Sequence, residues 1–301
     1  MNAVLKPTEP RIPYGIHANL APADYYPRRL NEASASGLKQ MLRSPAHFHE
    51  WVNNPDADKT SPALEFGKLL HCAVLEPDVF AREYIVEPKD APAYPQARSW
   101  ASAKSAPDVE RAKDYWREWE AAHKGMTRVS VADYDKVQRM ADSAMAHPVA
   151  RGLLDGGQRE VSFSWHDEDS GIDCKARADL YLPGEYLMDL KSCRDASPEG
   201  FARAVATYCY DVQQANYLGG IRENGDSIRW MVFLAIESEA PYVCQPHILD
   251  ANAEARGWTL RQRALRKQAE CLRTGRWPGY SDRLNELSLP TFAFYGIEES
   301  P

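Results

Sequence analysis

No stretch of eighteen consecutive apolar residues occurs in this 301-residue chain, so a membrane-spanning helix is not expected. The opening residues, MNAVLKPTEPRIPYG, lack the apolar run of a secretory leader, and a cytoplasmic location is the expectation. Cysteine is sparse and scattered. Cys72, Cys174, Cys193, Cys209, Cys244 and Cys271 contain no C-x-x-C pair, which argues against structural zinc, an iron–sulfur cluster or a disulfide framework. A basic excess is missing as well. With 36 Lys and Arg against 43 Asp and Glu, the net charge of −7 has the wrong sign for coating nucleic acid through overall charge. A local basic groove remains compatible with it. There is no internal repeat and no low-complexity tract.

What is present suits a globular protein. The 44% hydrophobic and 26% charged content, over this length, allows one large core. Residues 1–33 are rich in proline and read as an extended arm, followed by a single domain over 34–301. Within it, a helical part covers 34–155, a sheet-containing core 156–274 and a tail 275–301. Ser34 or Ser36 caps a first helix, Ser44-Pro45 starts a second, and Ser61-Pro62 opens a third over 63–75. That third helix is apolar nearly all round, so it and His71 are expected to be buried. Gly67, one turn earlier, would let the helix approach a sheet closely. The proline-rich segment 77–107 reads as an irregular insertion, and amphipathic helices follow over 107–123 and 131–145.

After Gly156-Gly157, strands are expected over 160–165, 172–182 and 186–191, helices over 198–208 and 211–224, strands over 229–237 and 242–248, and a long helix over 251–274. The tail aromatics Trp277, Tyr280, Phe292, Phe294 and Tyr295 are expected to pack back on the domain. The element order gives an α/β fold, a central mixed sheet flanked by helices with a helical N-terminal part.

The stretch KARADLYLPGEYLMDLK carries the chemistry. Its alternation and the Pro183-Gly184 turn make a hairpin that sets Asp179 beside Asp189. Lys191, two residues past Asp189, projects from the same strand face. Converging carboxylates repel unless a cation or a proton lies between them, and a hard divalent ion suits such an oxygen site. Two solvated aspartates around a hairpin fit the same spacing equally well. Three further features bear on the choice. His71 could complete a carboxylate metal site or be a hydrogen-bonded core residue. Gln213-x-x-x-Tyr217 puts an amide and a phenol on one helix face, as an ordinary amphipathic helix also would. Glu160 could be an extra acid near the metal or a solvated strand end.

Taken with SASGLKQMLRSPAHFHEW, ALEFGKLLHCAVLEPDVF, EVSFSW, LMDLKSCRDASPEGF and YDVQQANYLGG, this stretch resembles the PD-(D/E)XK nuclease superfamily. More closely, it is similar to the exonuclease VIII (RecE) C-terminal nuclease family. The resemblance implies that His71, Asp179 and Asp189 are metal ligands, with the Leu190 carbonyl as a fourth and Glu160 as an additional acid. It makes Lys191 the residue that orients the attacking water, and Gln213 and Tyr217 part of the catalytic apparatus. Ala178 departs from the proline of the superfamily name, and Asp189 stands where many members have glutamate; both keep the oxygen ligand.

The implied reaction is Mg²⁺-dependent hydrolysis of linear double-stranded DNA, with Mn²⁺ able to substitute. Its implied polarity is 5′→3′, leaving 3′ single strands for phage-type recombination. Arg28, Arg29, Ser34 and Ser36 are candidates for binding a 5′-phosphate. The implied partners are DNA ends, further copies in a trimeric or tetrameric ring, and a single-strand annealing protein. A restriction-type or structure-specific endonuclease, or a non-catalytic DNA-binding scaffold, are the alternatives.

Overall fold

A computed structural model describes residues 12–54, 61–102 and 106–294. The first part runs β1 (Gly15–His17), α1 (Pro22–Tyr25), β2 (Glu32–Ala33), α2 (Ala35–Arg43), α3 (Pro45–Asn53) and α4 (Pro62–Leu75). Next come α5 (Pro77–Glu83), β3 (Tyr84–Val86), α6 (Ala97–Trp100), α7 (Pro107–Ala122), β4 (Thr127–Val129), α8 (Val131–Ala146) and α9 (Pro148–Leu154). The second half holds β5 (Gln158–Asp167), β6 (Ile172–Leu182), β7 (Tyr186–Cys193), α10 (Pro198–Tyr208), α11 (Tyr210–Glu223), β8 (Trp230–Glu237), β9 (Cys244–Ile248) and α12 (Ala251–Thr274).

Local chemistry sets most of these boundaries. Ser34, Ser44, Ser61, Ser130, Ser197 and Asp250 each accept a backbone N–H from the first turn of the helix they precede. Proline opens α3, α4 and α10, where its missing N–H is not needed. Gly275 ends α12 in the left-handed conformation that favours glycine.

The main sheet is mixed, with strand order β1-β5-β6-β7-β8-β9 and β2 added alongside β6. Only β7–β8 and β2–β6 pair in parallel. One sheet face is covered by α2, α3, α10, α11 and α12, whose Leu38, Phe48, Phe201, Val212 and Leu265 pack on Val161, Ala176 and Phe233. On the other face α4, α5, α8 and α9 bring Leu70, Phe80, Val137 and Leu154 onto Met188, Leu190 and Leu234. Both faces being covered explains why β8 is apolar without alternation from Met231 to Ile236. Gly257 permits the crossing of α12 over α11, since a Cβ there would stand 2.2 Å from the Asp211 carbonyl oxygen. No described helix is long and apolar enough to cross a membrane.

Four sequence expectations change. Part of the N-terminal arm is built into the sheet, as β1 on β5 and β2 on β6. Buried Lys175 holds it by donating to the Tyr25 and Pro27 carbonyls at 2.7 and 2.8 Å and by pairing with Glu32. The segment 77–107 is not irregular throughout: α5 leads into β3, which pairs with β4 in a small parallel sheet, and Tyr94 packs against Trp116 of α7. Gly67 faces open space and makes no close approach. In the tail, Trp277 stacks on Phe48 and Tyr280 lies against His47, although Tyr280 stays largely exposed. The side chains of Phe292 and Phe294, and Tyr295, lie outside the described residues.

Candidate active site

The site forms where β6 and β7 part. Their ladder pairs Leu182 with Tyr186, Tyr181 with Leu187 and Leu180 with Met188, and ends there. One residue further, Asp179 and Asp189 face each other across the opening, and Asp179 Oδ2 accepts the Leu190 N–H at 2.6 Å. The fork lets side chains from both sheet faces meet.

From the α4 side comes His71. Its Nε2 lies 3.0 Å from the Leu190 carbonyl oxygen. A carbonyl can only accept, so Nε2 carries the proton and the lone pair of Nδ1 faces Asp179 Oδ2, 3.4 Å away. Burial, and then the charge of Lys191, depress the His71 pKa and keep the ring neutral. From β5 comes Glu160, in the left-handed region at φ 53° although it is neither glycine nor in a turn. Its neighbours Arg159 and Val161 pair with Leu180 and Ala178, so Glu160 stands opposite Asp179 in the ladder. Backbone strain of this kind persists where the surroundings enforce it, commonly at functional sites.

Ligand atoms of His71, Glu160 and Asp179 lie within 4.8 Å of one another. All are acceptors. Burial, then the neighbouring Asp179 charge, raise the Glu160 carboxyl to about 7. Burial, then Asp189, push Asp179 well above the ordinary carboxylate range. An imidazole lone pair and two carboxylates that resist sharing negative charge make a donor set suited to a divalent cation.

On the other side of the fork, Asp189 is fully engaged. Its Oδ2 pairs with the Lys191 ammonium, and Oδ1 accepts from Gln213 Nε2 at 2.5 Å. Gln213 also reaches the Tyr217 hydroxyl at 3.2 Å, and that hydroxyl donates to the Arg177 carbonyl at 2.6 Å. Thus Gln213 and Tyr217 brace Asp189 against β6. Burial alone would lower the Lys191 pKa, but the charges of Asp189 and Asp179 outweigh it and hold the group above its usual value. The two carboxylates thus favour the charged form of Lys191.

The structure brings three of the expected metal-site residues together. His71 and Asp179 converge with Glu160, whereas Asp189 turns to Lys191 and Gln213. The Leu190 carbonyl, expected as a ligand, accepts from His71. Two of the residues expected to bind a 5′-phosphate have partners of their own. Arg28 stacks 3.8 Å from the Trp51 ring centre and donates to the Trp51 carbonyl, and Ser34 caps α2. Arg29 and Ser36 are exposed.

Sequence reasoning missed Tyr210 and Lys39. The Nζ atoms of Lys191 and Lys39 lie 4.9 and 5.0 Å from the centre of the Tyr210 ring. Tyr210 opens the Gln-x-x-x-Tyr helix three residues before Gln213, a signal that could have drawn it in. Lys39 reads in sequence as one more polar position on an amphipathic helix.

A family model described as "PDDEXK-like domain of unknown function (DUF3799)" matches residues 34–289. No curated protein matches this chain. Among solved structures, a "Putative exonuclease" from Eubacterium rectale superposes with a TM-score of 0.55 at 16% identity, covering 93% of this chain and 99% of that one. A phage related exonuclease from Haemophilus somnus superposes with a TM-score of 0.32 at 13% identity, over 81% of this chain and 96% of that one. At 16% identity the likeness to the Eubacterium rectale protein extends to the fold alone.

Proposed function

This chain belongs to the PDDEXK-like DUF3799 family, and we propose that it is a divalent-metal-dependent nuclease that degrades linear double-stranded DNA from its ends. The observation that carries the reading is the convergent trio His71, Glu160 and Asp179, beside an ammonium paired with Asp189. The name of the Eubacterium rectale protein, which has the same fold over nearly its whole length, supports end-directed cleavage over other nuclease activities.

His71, Glu160 and Asp179 would hold a Mg²⁺ or Mn²⁺ ion, which supplies Lewis acidity toward a phosphate oxygen and favours ionisation of water. The remaining steps belong to the chain's own groups. His71, anchored through Nε2 to the Leu190 carbonyl, presents Nδ1 in one fixed orientation. Lys191 stays charged and sets positive potential where negative charge develops on the phosphate. Asp189 holds that ammonium in place, and Gln213 and Tyr217 hold Asp189. The 5′→3′ polarity, a ring of copies and an annealing partner for recombination belong to the same reading and rest on the resemblance to the RecE nuclease family.

The test uses purified protein with linear and covalently closed circular duplexes, in Mg²⁺, Mn²⁺ or EDTA. Release of nucleotides from linear DNA only, dependent on metal and abolished by Lys191→Ala, is the expected result. Cutting of the closed circle would assign an endonuclease instead. Salt-sensitive binding without hydrolysis in any metal would leave a DNA-binding scaffold.

A further inference from the structure

We propose that Lys39 is a second phosphate-binding cation of this site, clamping with Lys191 a backbone phosphate of the bound strand across the face of Tyr210. The inference rests on the nuclease reading above and adds to it a positioning residue on α2, an element that contributes nothing to the metal trio.

Three observations support it. First, both ammonium groups sit on one aromatic ring, at 4.9 and 5.0 Å from its centre. Two like charges sharing a ring repel each other, and each is stabilised by an anion placed between them. Second, the carboxylates near Lys39 are committed elsewhere. Asp189 gives one oxygen to Lys191 and the other to Gln213, and Asp211 pairs with Arg256. Among the described residues no carboxylate or carbonyl oxygen pairs with Lys39, whereas Lys191 is paired with Asp189. Third, Lys39 is partly buried on a helix whose Leu38 and Met41 are fixed in the core, which sets the direction its stem leaves the helix. Burial, then repulsion from Lys191, bring its pKa down to about 8.

The ligand follows from this chemistry. A phosphodiester offers two unesterified oxygens, one for each ammonium donor. The Tyr210 ring lies against both ammonium groups. In a protein of net charge −7 such a local positive spot is needed to draw a polyanion to one place.

The experiment compares the parent with Lys39→Gln and Lys39→Arg. Binding of a short linear duplex is measured by fluorescence anisotropy in Ca²⁺ over a range of salt, and cleavage kinetics are measured in Mg²⁺. Lys39→Gln is expected to weaken binding several-fold, to lower the salt slope by about one, and to raise KM more than it lowers kcat. Lys39→Arg is expected to restore all three. A measurement on the unmutated protein runs in parallel: amine acylation at pH 8, read by mass spectrometry, should label Lys39 and be slowed by the duplex. An unaltered salt slope and KM in a folded Lys39→Gln protein, or a labelling rate the duplex leaves unchanged, overturns the inference while parent binding and cleavage stand. A parent that neither binds nor cuts DNA overturns the nuclease reading itself, and the inference with it.

Discussion

Replacing Glu160 with glutamine should make the metal-free protein more stable at pH 8. The carboxyl is held at about 7, against an ordinary 4.5, first by burial and second by the Asp179 charge opposite it. Its folded pKa lies above its unfolded one, which fixes the sign. Below about pH 4.5 the group is protonated in both states and its ionisation costs nothing. Between 4.5 and 7 the unfolded chain releases the proton first, so stability falls as pH rises; above 7 the full cost remains. At about 1.4 kcal/mol per pH unit, and allowing for partial exposure, that cost is roughly 2–3 kcal/mol.

Glu160→Gln removes the charge at nearly constant shape. For a chain of this size the gain corresponds to a rise in Tm of several degrees, at about 2–4 °C per kcal/mol. Thermal melts in EDTA at pH 8 and pH 4.5 measure it, and the two proteins should converge at the lower pH. Mg²⁺ or Mn²⁺ at about a hundredfold its Kd should stabilise the parent by about 2.7 kcal/mol, and the variant by much less. A variant that melts no higher than the parent in EDTA at pH 8, or that gains as much from the metal, would refute the reasoning.

Other outcomes follow from the same geometry. Gln213→Ala frees one Asp189 oxygen and should reduce cleavage about 10–100-fold with little change in fold, checked by kcat alongside circular dichroism. Asp167→Ala leaves the Arg261 guanidinium buried without its 3.0 Å partner, and urea titration should show a loss of about 3–5 kcal/mol. Gly257→Ala drives a methyl group into the Asp211 carbonyl, so the same titration should show a loss of at least about 1–3 kcal/mol.

The sequence was most legible where local signals suffice. Serine caps followed by proline mark the starts of α3, α4 and α10. The Pro183-Gly184 turn sets the register that leaves Asp179 across from Asp189. The N-terminal strands were hidden because Lys175 and Arg177, polar residues in a central strand, are satisfied by carbonyls of Leu20, Tyr25 and Pro27, pairings that no spacing announces. His71, Asp179 and Glu160 were each legible as candidates, and only their grouping apart from Asp189 was not. Glu160 reaches Asp179 and His71 from a backbone conformation that strand alternation does not anticipate, and Asp189 turns away because Gln213 and Lys191 claim both its oxygens.

The parting of β6 and β7 also bears on when the protein can act. Its chemical groups come from α4, β5, β6, β7 and α11, and Gln213 and Tyr217 are the last of them to leave the ribosome. No shorter piece of the nascent chain holds the assembled cluster. On the proposed reading, hydrolysis switches on only after α11 has emerged and packed on the strands before it, which spares surrounding DNA from half-made copies.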